Sequence, residues 1–273
     1  MTWTALRVVP TSDRDAVATA LFAAGSQGVL EDGPAFVTHF PPGTDLARVR
    51  AVIAAADAEA HVTTSDAAPI DWTERWKDRL TAYELGALTV VPPWLAEGRD
   101  PAHTIVIDPG MAFGTGDHPT TRGVIRLMQP LIRHGDLVAD LGAGSAVLSI
   151  AAAKLGAARV AAIELEHDSI ENAESNVRAN GVERIVTVIE GDAGVLLQLV
   201  APVRVIVANI ISSVLLSLLP AMRAALAPGG HAVLSGMLRE ERAGMLTQLA
   251  LHGWLVDAED TEELWWSVAI RTA

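Results

Sequence analysis

The stretch that decides the fold spans residues 137–164 and reads LVADLGAGSAVLSIAAAKLGAARVAAIE. Its apolar runs predict a buried strand at 137–140, a helix at 147–155 and a second strand at 160–163. A glycine-rich turn separates the first strand from the helix, and Gly156 follows the helix as a stop signal. The segment is therefore predicted to form one βαβ unit, which is the building block of a parallel sheet.

The turn and the end of the second strand predict a pocket for a nucleoside. Gly142 and Gly144 allow the main chain to turn tightly and to approach a ligand, because neither carries a Cβ. Glu164 closes the second strand, where it is placed to accept hydrogen bonds from a ribose diol. The dinucleotide pattern needs a small residue at position 147, but the chain has Val147. S-adenosyl-L-methionine, which has no phosphate, is therefore the expected cofactor, and NAD or FAD is the alternative.

Length and composition limit the remaining possibilities. The chain has 273 residues, half of them hydrophobic, which is enough for one large α/β domain and a small one. It contains no cysteine, so disulfides and thiolate metal sites are excluded. Its eight histidines show no ligand spacing, and we expect no metal.

The charge and hydropathy of the chain indicate its surroundings. A formal charge of -13 argues against an extended nucleic-acid-binding face, and it fits either a basic protein partner or an acidic cytoplasmic protein without one. The first ten residues lack the features of a signal peptide. The uncharged segment 205–222 is interpreted as a buried strand followed by a buried helix, with a membrane span as the less favoured alternative. We expect a cytoplasmic monomer that does not contact membranes.

The first 66 residues predict a small domain of their own. Apolar patterns give the order strand, helix, strand, strand, helix, strand, at 3–9, 13–24, 28–31, 35–40, 45–58 and 61–65. This βαββαβ order suggests a ferredoxin-like α+β domain, and it contains no cluster of catalytic residue types. Ser12 with Asp15 resembles a capping box, and Thr44 is placed to cap the second helix.

A linker is expected at 67–82, with a short helix at 71–80, ahead of the larger domain at 83–273. In this helix Trp72, Trp76 and Leu80 form one stripe, which is typical of packing between domains.

The stretch DPGMAFGTGDHPTTRGVIRLM, residues 108–128, contains an irregular loop before a helix that starts near Thr120. One interpretation is a helix entry capped by Asp117 or a threonine, with Pro119 in the first turn. The other is a lid over the cofactor, whose backbone amides and Thr121 hydroxyl bind the carboxylate of an amino acid. The second interpretation places Phe113, Gly114 and Thr115 among the cofactor contacts. His118 is expected to shape the loop.

Two later strands also end on polar residues. Asp192 follows a strand at 186–189, where it would either accept from an adenine amino group or cap the next turn. Asn209 ends a strand at 203–208, at the edge of a parallel sheet where ligands bind. Two closing strands, 254–259 and 264–271, have no helix between them, which implies an antiparallel pair at the sheet edge.

Five stretches together carry a resemblance to a known family: DPGMAFGTGDHPTT, DLGAGSAVLSIAAAKLGA, ENAESNVRANG, VANII and LAPGGHAVLSGML. They lie between about residues 105 and 240, and residues 72–77 are similar to the family's linker helix. The chain resembles class I S-adenosylmethionine-dependent methyltransferases. More narrowly, it is similar to the bacterial family, PrmA type, that methylates protein eleven of the large ribosomal subunit.

The resemblance implies a Rossmann-like methyltransferase domain, with a mostly parallel seven-stranded sheet and an antiparallel edge strand, after a ferredoxin-like domain that holds the ribosomal protein. It also implies cofactor contacts at Thr121, Gly142, Glu164 and Asn209. The chain departs from the family at Ala146, where glycine is usual and we expect a small loss of room. It departs again at Glu164, where aspartate is common. Neither change removes a needed group, so an active enzyme is expected.

The resemblance further implies methyl transfer to lysine side-chain and N-terminal amines. Asn209 is the candidate catalytic residue, because its amide oxygen would accept an amine hydrogen and aim the lone pair; its alternative role is cofactor binding. No general base is assigned. The competing hypotheses are a methyltransferase for another protein or a small molecule, and a cofactor-binding module without transfer activity.

Overall fold

The structure is a computed structural model that describes residues 3–12, 14–26, 29–40, 43–67, 81–108 and 116–272. The chain divides into two compact units, Met1–Lys77 and Asp78–Ala273. The predicted helix at 71–80 and its tryptophan stripe lie outside the described residues.

The first unit is an antiparallel sheet with two helices. Its elements are β1 (Trp3–Val9), α1 (Arg14–Ala23), β2 (Val29–Asp32), β3 (Ala35–Phe40), α2 (Leu46–Ala56) and β4 (His61–Ala67). The strand order is β2-β3-β1-β4, and each neighbouring pair is antiparallel. Leu6, Val8, Phe36 and Phe40 project from the strands into a core that α1 and α2 cover. The ferredoxin-like arrangement predicted from the βαββαβ order is confirmed.

The caps in this unit differ in detail from the prediction. Asp45, not Thr44, occupies the N-cap of α2, where its carboxylate accepts from the amides of Ala47 and Arg48. The reason is that the helix starts at Leu46, one residue later than predicted, so the residue before it becomes the cap. In the proposed capping box of Ser12 and Asp15, the Asp15 side chain lies outside the described residues.

The second unit is built on a seven-stranded sheet with the order β10-β9-β8-β11-β12-β14-β13. These strands are β8 (Leu137–Leu141), β9 (Arg159–Glu164), β10 (Val186–Glu190), β11 (Val203–Asn209), β12 (Leu226–Leu238), β13 (Trp254–Glu262) and β14 (Trp265–Thr272). Strands β8 to β12 pair in parallel, and β14 runs antiparallel to both of its neighbours. The mostly parallel sheet and its closing hairpin are as predicted.

Helices cover both faces of this sheet. On one face lie α3 (Pro119–Met128), α4 (Val147–Lys154) and α5 (His167–Ala179), and on the other α6 (Ala193–Val200), α7 (Ser212–Ala225) and α8 (Arg242–Leu251). Alternate residues of one strand serve the two cores: Val205 and Val207 face α3 to α5, whereas Ile206 and Ala208 face α6 to α8. The uncharged segment 205–222 forms most of β11 and α7. Among the described residues, no helix has both the length and the hydropathy to cross a membrane.

A second, three-stranded sheet precedes α3. It comprises β5 (Tyr83–Leu85), β6 (Leu88–Val91) and β7 (Thr104–Val106), and short 3-10 turns occur at Pro93–Leu95 and Arg239–Glu241. The apolar run 85–91 is not one strand, because Gly86 adopts a φ of 68° and reverses the chain into a hairpin. The Gln129 side chain accepts from the Ala87 amide and stabilises this turn.

The topology creates one crevice for a ligand. The strand order reverses at β8, whose neighbours β9 and β11 lead the chain to opposite sides of the sheet. In open α/β sheets, ligands bind beyond the carboxyl ends of the strands at such a switch point.

In the first unit, one carboxylate connects the start of α1 to the end of α2. Asp57 accepts from the amides of Thr11 and Ser12 at 2.6 and 3.0 Å and from the Thr11 hydroxyl at 2.9 Å. The Thr11 amide is the main cause that lowers the pKa of Asp57 to about 2. Its ionised form is therefore the stabilising one.

We predict that Asp57→Asn lowers the thermal stability of the protein at pH 7. Because the folded pKa lies below the unfolded value near 3.8, the contribution is complete above about pH 4 and is lost as the pH falls towards 2. The difference between variant and wild type in thermal unfolding should therefore shrink at low pH. Glu59→Gln, in the same turn, is the matched control and should leave the unfolding temperature unchanged. A difference that is constant from pH 7 to pH 2.5 would contradict the assignment.

Candidate active site

A cavity of about 650 Å³ lies at the switch point. Its walls come from the turn after β8, the ends of β9 and β11, the start of α6 and the first turns of α3 and α7. Six residues proposed from the sequence line it together: Thr121, Gly142, Gly144, Glu164, Asp192 and Asn209. Phe113, Gly114 and Thr115 lie outside the described residues.

The turn after β8 has an unusual backbone. Gly142, Gly144 and Ala146 have φ values of 73°, 51° and 65°, so three of five consecutive residues are left-handed. The amides of Gly142 and Ala143 donate to the carbonyl of Ile163, which attaches the turn to β9. A Cβ at Gly142 would lie 2.5 Å from Cγ2 of Ile210, which also lines the cavity, and would clash with it. The turn therefore depends on glycine at this position.

Ala146, which stands where the resembling family usually has glycine, carries a different cost from the one predicted. We expected a small loss of room, but the structure shows that the cost is conformational. Ala146 is fully buried in the left-handed region at the N-cap of α4, where glycine is favoured. A non-glycine residue there costs roughly 1–2 kcal/mol. The methyl group recovers part of this through burial of roughly 0.8 kcal/mol, so the fold tolerates the substitution.

Glu164 is buried at the end of β9, and its carboxylate is held by backbone amides. Oε2 accepts from Gly144 N at 2.7 Å, and Oε1 accepts from Glu166 N at 2.8 Å. Through Gly144, the carboxylate of this longer side chain contacts the glycine turn. Each carboxylate oxygen has a second lone pair, so both remain able to accept a further hydrogen bond from a ligand in the cavity.

Asp192 performs the capping role that we considered from the sequence. Its Oδ1 accepts from Gly194 N at 2.7 Å and from Val195 N at 3.3 Å, at the N-cap of α6. It also lines the cavity. Because the cap uses Oδ1, the other oxygen is available to a ligand, and the two roles are compatible.

Asn209 and Thr121 meet across the cavity wall. Asn209 ends β11, and its Nδ2 donates to the Thr121 hydroxyl at 3.4 Å. Thr121 belongs to the first turn of α3 and is fully buried. Since Nδ2 is engaged with Thr121, Oδ1 of Asn209 is the atom left to accept from a ligand.

His118, rather than Asp117 or a threonine, is the N-cap of α3. Its Nδ1 lies 2.7 Å from the Thr120 hydroxyl and accepts from the Thr120 amide at 3.3 Å. Pro119 occupies the first helical position, as predicted. Burial lowers the pKa of His118, and its ring packs edge-on against Trp265 at 4.8 Å. His118 thus shapes the end of the loop, which agrees with the sequence interpretation.

Asn176 was not identified from the sequence, although it lies in the family stretch ENAESNVRANG. The side chain is buried in α5; its Oδ1 accepts from Asp108 N at 2.9 Å, and its Nδ2 donates to Ser145 O at 3.1 Å. It therefore joins the residue before the segment 109–115 to the glycine turn. The signal that could have found it is a polar residue on the side of the helix expected to be buried.

Apolar residues at the mouth of the cavity were also missed. Leu165 and Ile211 each follow a strand-end polar residue, and they are 63% and 64% exposed although they line the cavity. Exposed side chains of this size beside a pocket provide apolar surface for a flat ring. The sequence signal that could have found them is their position: Leu165 comes directly after the end of β9, and Ile211 comes two residues after the end of β11.

Asp140 lies fully buried at the end of β8, two residues before Gly142. Its Oδ2 accepts from the Ser149 hydroxyl at 2.7 Å, and its Oδ1 has no partner among the described residues. Burial is the largest cause that raises the pKa of Asp140 to about 7, and the nearby charge of Glu164 adds to it.

Comparison with known proteins identifies the family. The family model described as "Ribosomal protein L11 methyltransferase (PrmA)" matches residues 3–273. The chain belongs to this family. A ribosomal protein L11 methyltransferase from Lacticaseibacillus paracasei is 31% identical over 93% of both chains. One from an Exiguobacterium species is 38% identical over 77% of this chain and 67% of its own length.

A solved structure agrees with the family match. The crystal structure of ribosomal protein L11 methylase from Lactobacillus delbrueckii subsp. bulgaricus is 31% identical, with a TM-score of 0.62. It covers 70% of this chain and 98% of its own chain. The resemblance that the sequence motifs indicated between residues 105 and 240 is confirmed, and the family match extends it to both units.

We predict that Asp140→Asn flattens the pH dependence of stability between about pH 4 and 7. The folded pKa near 7 lies above the unfolded value near 3.8, so the folded state holds a proton that the unfolded state has lost. The free energy of unfolding then falls as pH rises, by up to about 1.4 kcal/mol per pH unit. Denaturant titrations of variant and wild type at several pH values measure this difference. Parallel curves would show that Asp140 does not titrate there.

Proposed function

We propose that this protein transfers methyl groups from S-adenosyl-L-methionine to lysine side-chain and N-terminal amines of ribosomal protein L11. The observation that carries the proposal is one cavity at the switch point, lined by the glycine turn, Glu164 and Asn209, in a chain of the L11 methyltransferase family.

The residues of the cavity fit an S-adenosyl nucleoside. Gly142 lets the turn lie against Ile210 of the cavity lining, where a Cβ would clash, and Glu164 offers two acceptor oxygens to the ribose hydroxyls. In this proposal Leu165 and Ile211 provide apolar surface for the adenine, and Asp192, whose Oδ1 caps α6, offers Oδ2 to the adenine amino group. Thr121, with Phe113, Gly114 and Thr115 of the preceding loop, is assigned to the amino-acid end. When bound, the cofactor supplies the electrophilic methyl group.

The acceptor amine must be neutral to use its lone pair. A lysine with a pKa of about 10.4 is neutral in roughly one molecule in a thousand at pH 7.4, which costs about 4 kcal/mol. An apolar site lowers this cost, because burial favours the neutral amine. Asn209 Oδ1 accepts one amine hydrogen and directs the lone pair into the cavity, while Thr121 holds the amide in that orientation.

Recognition of the protein substrate is assigned to the first unit. The alignment with the Lacticaseibacillus paracasei relative extends over 93% of this chain, so the ferredoxin-like unit is a shared part of the family. The strongly negative charge of the chain favours a basic partner over nucleic acid. We also assign this protein to the cytoplasm, where ribosomal proteins are made.

We predict that the purified protein transfers label from radioactive S-adenosylmethionine to L11 in a mixture of ribosomal proteins. Label on L11 alone supports the proposal. Label on a different protein would establish a methyltransferase of other specificity. Binding of S-adenosylhomocysteine without any transfer would establish a cofactor-binding module, and protection by NAD alone would contradict the assignment of the cofactor.

Two substitutions should separate turnover from cofactor binding. We predict that Asn209→Ala lowers kcat about 100-fold with little change in the Kd for S-adenosylmethionine, because it removes the acceptor for the amine. Glu164→Ala should raise that Kd at least tenfold, because it removes both ribose contacts and the tether of the turn. Glu174→Ala, on the exposed side of α5, is the control. Calorimetry and single-turnover assays measure the two effects, and equal losses in Asn209→Ala would show that Asn209 only holds the cofactor.

A further inference from the structure

Thr121, which contacts Asn209, lies on helix α3. Three contacts fix how closely this helix approaches the sheet. The first is at Gly123, two residues after Thr121. A Cβ at this position would lie 2.6 Å from Oγ and 3.2 Å from Cβ of Ser267 on β14, and 3.2 Å from Oδ1 of Asp260 on β13. The helix therefore lies nearer the sheet than any side chain at position 123 permits.

The atoms beneath Gly123 are not free to move aside. Oγ of Ser267 is hydrogen-bonded to Oγ of Ser235 at 2.7 Å, and both serines are buried. Ser235 pairs in register with Asn209 on the neighbouring strand β11. Rotation of the Ser267 hydroxyl would break this buried hydrogen bond, which leaves polar atoms unsatisfied.

Two arginines of α3 hold the helix against the closing hairpin. Arg126 forms a bidentate pair with Asp260, with Nε to Oδ2 at 2.8 Å and Nη2 to Oδ1 at 2.6 Å, and a further bond to Glu262 at 2.7 Å. Arg122 binds Glu262 and the carbonyl of Asp117, at the end of the loop before α3. The two arginines lie on either side of Gly123 in sequence, so they oppose any outward displacement there.

We propose that Gly123 is a positioning residue for methyl transfer: by letting α3 seat against Ser267, it places Thr121 where it sets the orientation of the Asn209 amide. The inference rests on the proposed function. The Asn209–Thr121 hydrogen bond is 3.4 Å long, close to the limit of such a bond. A methyl at 123 would push the helix outward by roughly 0.8 Å to reach ordinary contact with Ser267. That displacement breaks the bond and frees the Asn209 amide to rotate.

We predict that Gly123→Ala lowers kcat for L11 methylation at least tenfold and changes the Kd for S-adenosylmethionine less than threefold. Gly244→Ala is the matched control, because Gly244 also lies in a helix, α8, and a Cβ there meets nothing within 4 Å. It should leave kcat unchanged. The double variant Gly123→Ala/Ser267→Ala removes the closest clashing atom and should recover kcat to within about threefold of Ser267→Ala alone. If Gly123 and Ser267 acted independently, the double variant would show no such recovery of kcat.

A second variant and a second measurement keep the test decisive if Gly123→Ala folds poorly. Asp260→Asn keeps the shape of the side chain that pairs with Arg126 but weakens the bond between them. It should therefore lower kcat about threefold without changing the Kd for S-adenosylmethionine. The side-chain amide signal of Asn209, assigned in an NMR spectrum by its loss in Asn209→Ala, should shift in both variants and not in Gly244→Ala.

Unchanged kcat and an unchanged Asn209 signal in a folded Gly123→Ala variant would overturn the proposal. If the wild-type protein methylates no ribosomal protein, the proposed function fails, but the Asn209 signal still decides whether Gly123 positions the amide.

Discussion

The hydrogen bond between Glu164 and the amide of Gly144 is the interaction on which the site depends. It joins the end of β9 to the turn after β8, the two parts of the crossover that surround the switch point. The turn is strained at Ala146, a non-glycine residue in the left-handed region. A buried carboxylate that accepts from two backbone amides, Gly144 N and Glu166 N, holds this turn in place and keeps a second lone pair on each oxygen.

Two carboxyl groups lie close together beneath this turn, and their surroundings differ. Glu164 accepts from backbone amides, whereas Asp140 is fully buried, with one hydrogen-bonded oxygen and one that has no partner within the described part of the chain. Burial raises the pKa of Asp140, and the charge of Glu164 adds to this effect. Like charges at short range are avoided when one of them keeps its proton. The raised pKa lets Asp140 keep a proton near neutral pH.

The other wall of the cavity depends on helix-to-sheet distances. Asn176 joins Asp108 to the glycine turn from α5, and the arginines of α3 join that helix to the closing hairpin. These connections reach two residues that flank the segment 109–115: Asp108 before it and Asp117 shortly after it. The hairpin β13–β14, which is far from the glycine turn in sequence, thus contributes to the geometry around Thr121 and Asn209.

Local sequence patterns were sufficient for most of the fold. Apolar runs, glycine stops and strand-end polar residues predicted the first crossover, the βαββαβ unit and the antiparallel closing pair. They also placed Gly142, Glu164, Asp192 and Asn209 at strand ends, and the parallel sheet brings such ends to one edge. These features are encoded by residues near one another in the chain, so periodicity and turn chemistry reveal them.

Tertiary structure decided what depends on distant residues. The left-handed conformation of Ala146, the cap by His118 and the hairpin turn at Gly86 follow from backbone geometry that residue types alone do not specify. The same holds for Asn176 and for Gly123, whose roles exist only because α5 meets Asp108 and α3 meets Ser267. Sequence therefore determined which groups reach the rim of the sheet, and packing determined their orientation, because hydrogen-bond partners more than 60 residues apart are set only when the helices close on the sheet.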